Sequence, residues 1–145
     1  MDGCVIGKKG FGFLPSQNKN IRYPQIGMVI IGDNCEIGCN STIDRGSLSD
    51  TIIGRNTFLD NQIHIAHNVK IGDNCIIAGQ VGFAGSSIIG DNVRVLDCSV
   101  LGKKGFGFFP DKNKNYRYPH IGSVIIGDNV EIGCNNTIDR GSISN

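Results

Sequence analysis

Large apolar residues recur at every sixth position through Ile53, Leu59, Ile65, Ile71, Ile77, Phe83, Ile89, Val95 and Leu101. An amphipathic helix repeats at three and four and a half-buried strand at two, so a strict six belongs to neither. The residue after each large one is small or polar at Gly54, Asp60, Ala66, Gly72, Ala78, Ala84, Gly90 and Gly102, with Leu96 the exception. The fifth position of each step holds Thr57, Ile63, Val69, Cys75, Val81, Ser87, Val93 and Ser99, all small to medium in size. One large inward residue, a smaller one beside it and a Gly or Asn at the bend describe a short flat strand plus a turn. Stacking such units buries a continuous core. The pattern therefore predicts an all-β chain, a parallel β-helix of hexapeptide units. The same beat returns at Ile31, Ile37, Ile43 and at Ile126, Ile132, Ile138, and DRGSLSD (Asp44 to Asp50) slips its phase and reads as a bulge. The period leaves the hand of the coil open, and the general rule for parallel crossovers favours the right hand.

Two excursions, GKKGFGFLPSQNKNIRYPQIG from Gly7 and GKKGFGFFPDKNKNYRYPHIG from Gly102, have two prolines each and no six-beat, so they read as external loops. They belong to a coarser repeat: residues 2–50 recur as 97–145 at a constant offset of 95, about three quarters identical, while residues 51–96 occur once. The organisation expected is one β-helix domain over 1–145, two near-duplicate segments, and single-copy central coils. The second copy stops at SISN inside its loop, which suggests a truncated or recombined sequence. Open solenoid ends expose strand edges and core, and no cap is visible in the sequence.

Composition narrows the function classes. Fourteen Lys plus Arg against 13 Asp plus Glu give a net charge of +1, too little to gather nucleic acid or anionic membrane. No apolar segment reaches the roughly 18 residues of a membrane span, and the Met1 end has no leader pattern, so a cytoplasmic chain without a membrane span is expected. Six cysteines form no C-x-x-C pair and no zinc spacing, and read as reduced small residues. The 21 glycines without low complexity fit many regular tight turns.

Polar groups concentrate in FLDNQIHIAHNVKIGDN (Phe58 to Asn74), at Asp60, Asn61, Gln62, His64, His67 and Asn68. His67 is the candidate general base: a histidine on a rigid turn can take a proton from an amine or hydroxyl near neutral pH, and a carboxylate such as Asp60 could orient it. The plainer alternative is a turn histidine that bonds a neighbouring coil. His64 and His67 lie half a hexad apart and so hold different positions, which disfavours a two-histidine metal site, and no cofactor is expected. His120 is matched by Gln25 in the first copy and reads as surface. GFGF at Gly10 to Phe13 and at Gly105 to Phe108 lacks the strand, helix and Lys-Ser/Thr of a phosphate loop, leaving rings packed on the wall or over a ligand. Lys8/Lys9 and Lys103/Lys104 are solvated by default, with a phosphate or an acidic carrier protein as the functional alternative.

GFGF, then IGDNCEIGCNSTIDRGSLSDT (Ile31 to Thr51), LDNQIHIAHNVKIGDN and FAGSSIIG (Phe83 to Gly90) closely resemble the UDP-3-O-acylglucosamine N-acyltransferases of lipid A biosynthesis, within the hexapeptide-repeat acyltransferase superfamily. The resemblance implies a single-stranded left-handed parallel β-helix, a homotrimer with active sites between subunits, and transfer of a 3-hydroxyacyl group from acyl carrier protein to the 2-amino group of a UDP-linked 3-O-acylglucosamine. Carried over by position, it makes His67 of IAHN and Gly85 of AGS catalytic, as general base and as backbone donor to an oxyanion. It makes Asp60 and Asn61 of DNQ substrate-binding, with His64 a further sugar contact where relatives often have Gln.

Set beside that family, the chain is expected to be a partial or rearranged form, without the uracil-gripping N-terminal domain, the second donor-side histidine and the C-terminal helices. The alternative reading is a catalytically inactive β-helix fragment, a structural or binding module. A γ-carbonic anhydrase shares the six-beat, but histidine gaps of three and then fifty-three do not match its metal-ligand pattern.

Overall fold

The computed structural model describes residues 2–145, and these contain twenty strands and no helix. The chain winds as the left-handed parallel β-helix expected from the resemblance, with three flat walls. Sheet I holds Val29–Ile31, Thr51–Ile53, Lys70–Ile71, Ile88–Ile89 and Ile125–Ile126. Sheet II holds Glu36–Ile37, Phe58–Leu59, Ile76–Ile77, Arg94–Val95 and Glu131–Ile132. Sheet III, the widest, holds Val5–Lys9, Thr42–Arg45, His64–Ile65, Gly82–Phe83, Val100–Lys104 and Thr137–Arg140.

Three hexads close one turn, so a residue pairs with the one 18 positions on, as Ile53 does with Ile71 and Ile71 with Ile89. The six-beat thereby becomes three inward stacks, of which Ile43, Ile65, Phe83 and Leu101 form the one behind sheet III. Phe83 and Leu101 are wholly buried, as are the smaller fifth-position residues Val69, Cys75, Val93 and Ser99. Each large aliphatic removed from water contributes about 1.5–3 kcal/mol, and the rigid stack is the platform that the turns share.

The turns differ from the sequence expectation in one respect. Each ordinary corner places one residue in the left-handed region, but that residue is never Gly: it is Asn at Asn34, Asn40, Asn56, Asn68, Asn74, Asn92, Asn129 and Asn135, and Gln62, Gln80, Ser86 or Cys98 elsewhere. Asn tolerates this conformation because its short polar side chain bonds locally. The repeating glycines serve closeness: a methyl on Gly54 would come within 2.4 Å of the Gly72 backbone in the next turn.

The excursions also start later than expected. Gly7 and Gly102 have φ of 79° and 82° and sit in matching β-bulges, after which the strands run on through Lys9 and Lys104. Each excursion then folds on itself as an antiparallel hairpin, pairing Phe13–Pro15 with Asn20–Arg22 and Phe108–Pro110 with Asn115–Arg117. Both excursions and the Gly46–Asp50 bulge leave from the same edge, where sheet III hands over to sheet I.

Candidate active site

The loop-bearing edge is also where His67 and Gly85 lie, in successive turns between sheets III and I. A cleft of about 430 Å³ opens there on sheet III, bordered by Phe11 of the first excursion, by His64, His67 and Gly85 of the central coils, and by Lys103, Lys104 and Arg140 of the second copy. A smaller hollow of about 250 Å³, with Tyr23, Pro24 and Leu48 in its wall, also borders His67.

His67 is held by its neighbour. Its Nδ1 lies 2.9 Å from Asn68 Oδ1, and that oxygen also accepts from the Ser47 amide at 2.9 Å and the Ser47 hydroxyl at 2.7 Å. These donors, with Asn68 Nδ2 donating to the Ser49 carbonyl at 3.2 Å, leave Oδ1 acting only as acceptor. Nδ1 must then carry the proton, which leaves the Nε2 lone pair free to act as a base. The Asn68 amide also donates to Thr51 Oγ1 at 2.9 Å, so the bulge that the sequence marked only as a phase slip is the clamp for this histidine.

Gly85 faces the ring: a methyl there would lie 2.8 Å from Cε1 and 3.0 Å from Nε2 of His67. Ser86 donates its amide to the His67 carbonyl at 3.1 Å, while among the described residues the Gly85 amide has no acceptor. An unengaged backbone donor beside a base is the pairing that acyl transfer needs.

His64 sits on the strand before, its Nδ1 2.8 Å from Thr42 Oγ1, and borders the same cleft. Crowding by the surrounding protein lowers its pKa from the ordinary histidine value, Asp44 opposes that shift and Lys8 adds to it. Asp44 is buried and pairs with Lys8 through Oδ1, while its Oδ2 has no partner among the described residues.

Asp60 and Asn61 lie elsewhere. They occupy the turn between sheets II and III, where Asp60 Oδ1 accepts from the Asn61 amide at 2.7 Å and from its Nδ2 at 2.8 Å. A face of the prism separates them from His67, so within one chain the orienting partner of His67 is Asn68 and not the carboxylate of Asp60. Phe11 stands exposed on the cleft rim, edge-on to Phe13 at 5.1 Å, and does not pack on the wall. His120 is half-buried and bonds the Tyr118 carbonyl at 3.0 Å, so it is less of a surface residue than expected. Among the described residues no three His, Cys, Asp or Glu side chains converge as a metal site would require.

Residues 50–85, the stretch that carries His67 and Gly85, match the bacterial transferase hexapeptide (six repeats) family. That stretch is therefore similar to the hexapeptide-repeat transferases. It is 56% identical over 86 residues to a UDP-3-O-acylglucosamine N-acyltransferase of Dechloromonas aromatica, covering 59% of this chain and 25% of the relative. It is 53% identical over 93 residues to one of Hahella chejuensis, covering 64% and 27%. A crystal structure of a UDP-N-acetylglucosamine acyltransferase from Bacteroides fragilis superposes with a TM-score of 0.67 at 26% identity, over 95% of this chain and 46% of that one. The chain thus spans about a quarter of the length of the curated relatives it matches.

Proposed function

We propose that the chain carries the acyl-transfer centre of a lipid A N-acyltransferase, moving a 3-hydroxyacyl group from acyl carrier protein to the 2-amino group of a UDP-linked 3-O-acylglucosamine. The observation that carries this reading is the single cleft in which the free Nε2 of a clamped His67 meets the unengaged amide of Gly85. The sugar amine attacks the acyl thioester carbonyl and His67 Nε2 takes the amine's proton. The tetrahedral oxyanion is met by the Gly85 N–H, and as the C–S bond breaks the thiolate recovers the proton from His67. The hollow beside Tyr23, Pro24 and Leu48 offers apolar surface to an acyl chain at the reacting end.

Asp60 and Asn61 enter this reading as sugar-binding groups through assembly. A homotrimer that sets the corner between sheets II and III of one subunit against the loop-bearing edge of the next brings them to the cleft, with His64 as a further sugar contact. The single-copy residues 51–96 are then the catalytic part of one β-helix domain, and the compartment is the cytoplasm, where the carrier protein and sugar nucleotide meet.

The test is an assay of the purified chain with a 3-hydroxyacyl carrier protein and UDP-3-O-acylglucosamine, reading amide product by mass. Product that disappears with His67→Ala supports the reading. Product unchanged in that variant sinks it. A properly folded trimer without turnover favours the inactive structural module instead, for which the short span against the relatives is the motivating observation.

A further inference from the structure

The second copy supplies one wall of the His67 cleft, and its charges do not balance. Lys103 pairs with Asp139 at 2.6 Å, and Asp44 pairs with Lys8. Lys104 and Arg140, by contrast, have no carboxylate within ion-pair distance among the described residues. They are direct cross-strand partners in sheet III, so two like charges stand opposite each other, an arrangement that destabilises a sheet. Arg140 is also half-buried, and burial pulls its pKa below the ordinary guanidinium value. Nε donates to the Gly102 carbonyl at 2.6 Å and Nη2 to the Gly85 carbonyl at 2.7 Å. These bonds fix the fork on the cleft wall and neutralise none of its charge.

We propose that Lys104 and Arg140, with the neighbouring Ser86, form a phosphoryl-binding subsite beside His67. An anion there relieves the cross-strand repulsion, and the fixed guanidinium fork fits the spread oxygens of a phosphate. That the phosphoryl group belongs to the acceptor sugar rests on the acyl-transfer reading. In a UDP-linked glucosamine the diphosphate and the amine sit on adjacent ring carbons, so an amine at His67 keeps the diphosphate within the same cleft, one wall of which carries Arg140. The anion site itself does not depend on that reading.

The first copy holds an internal control: Lys9 and Arg45 are the same cross-strand pair, and Arg45 Nε donates to the Gly7 carbonyl at 2.7 Å, but neither residue borders the His67 cleft. The experiment is a titration of the full chain with inorganic pyrophosphate, followed by amide and Arg side-chain nitrogen NMR. Saturable shifts are expected at Gly85, Ser86 and the Arg140 side chain. Lys104→Ala and Arg140→Gln are each expected to weaken binding about tenfold, the scale of one charge-assisted contact. Lys9→Ala should change it less than about twofold, as a remote screened charge. Because Arg140→Gln also removes two carbonyl bonds, Lys104→Ala, which removes none, keeps the test clear of folding. Absence of saturable shifts at Gly85 and Ser86, or an equal loss in Lys9→Ala, overturns the subsite. Pyrophosphate binding without turnover counts against the acyl-transfer reading alone.

Discussion

Ser47 and Asn68 are separated by 21 positions, yet both the amide and the hydroxyl of Ser47 donate to Asn68 Oδ1, at 2.9 and 2.7 Å. The same oxygen receives the His67 Nδ1 proton at 2.9 Å. A bulge in one turn thus sets the tautomer of a histidine in the next, and each part of that relay gives a measurable expectation.

Asn68→Ala leaves His67 without its acceptor and frees the ring to rotate. Loss of a correctly presented base costs part of the roughly 10²–10⁴-fold that general-base catalysis contributes. The expected result is a fall in kcat of about tenfold or more with KM little changed, and a drop confined to KM would refute the clamp. Asn68→Asp keeps an acceptor at the same place and should retain more activity than alanine.

Gly85→Ala puts a methyl 2.8–3.2 Å from three atoms of the His67 ring. One of the two must move, and the ring is tied while the turn sits on a packed wall. Activity should collapse while the unfolding midpoint stays close to that of the parent, as read by an amide-formation assay alongside denaturant unfolding. Parent-like turnover would mean that Gly85 is not seated against the base.

Phe83 is fully buried between Ile65 and Leu101 in the stack behind sheet III. Truncation to alanine leaves a cavity that a rigid prism cannot collapse, so Phe83→Ala should cost about 3–5 kcal/mol in urea unfolding. A cost under about 1 kcal/mol would show that the coils repack freely.

His64 has its pKa lowered in the fold, chiefly by burial. As pH falls, the unfolded chain takes up that proton before the folded chain does. Stability from this residue is therefore complete above the unfolded histidine value of about 6.5 and is lost as pH drops from there toward the lower folded value. Replacing it by Gln should flatten the stability–pH curve in that window, and an unchanged slope would assign the acid sensitivity elsewhere.

The inward residues were legible in the sequence because burial repeats with every hexad, and Ile53 to Leu101 all point into the core. Which hexads share a wall was not, since closure at three units per turn is a property of the coil and not of any one unit. That is why Asp60 and His67, only seven apart in sequence, look like one site although a sheet face divides them within the chain. Asn68 carried no distinct signal, because Asn recurs at the left-handed corner position throughout. His67 stands out from its polar surroundings and Gly85 only through motif resemblance, and the link that makes them neighbours is the 18-residue turn, visible at Gly82 opposite His64.

Every interruption of the coil leaves from the edge between sheets III and I, and both copies of the long repeat re-enter on the same sheets, Val5 and Val100 on sheet III and Val29 and Val124 beside sheet I. The molecule thus has two independent ways to grow. Along the axis it lengthens only by whole turns, because any other increment would rotate the inward stacks out of phase. Outward from the one permissive edge, added chain of any size leaves the stacks untouched, so new binding chemistry can be tried beside His67 without disturbing the scaffold that holds it.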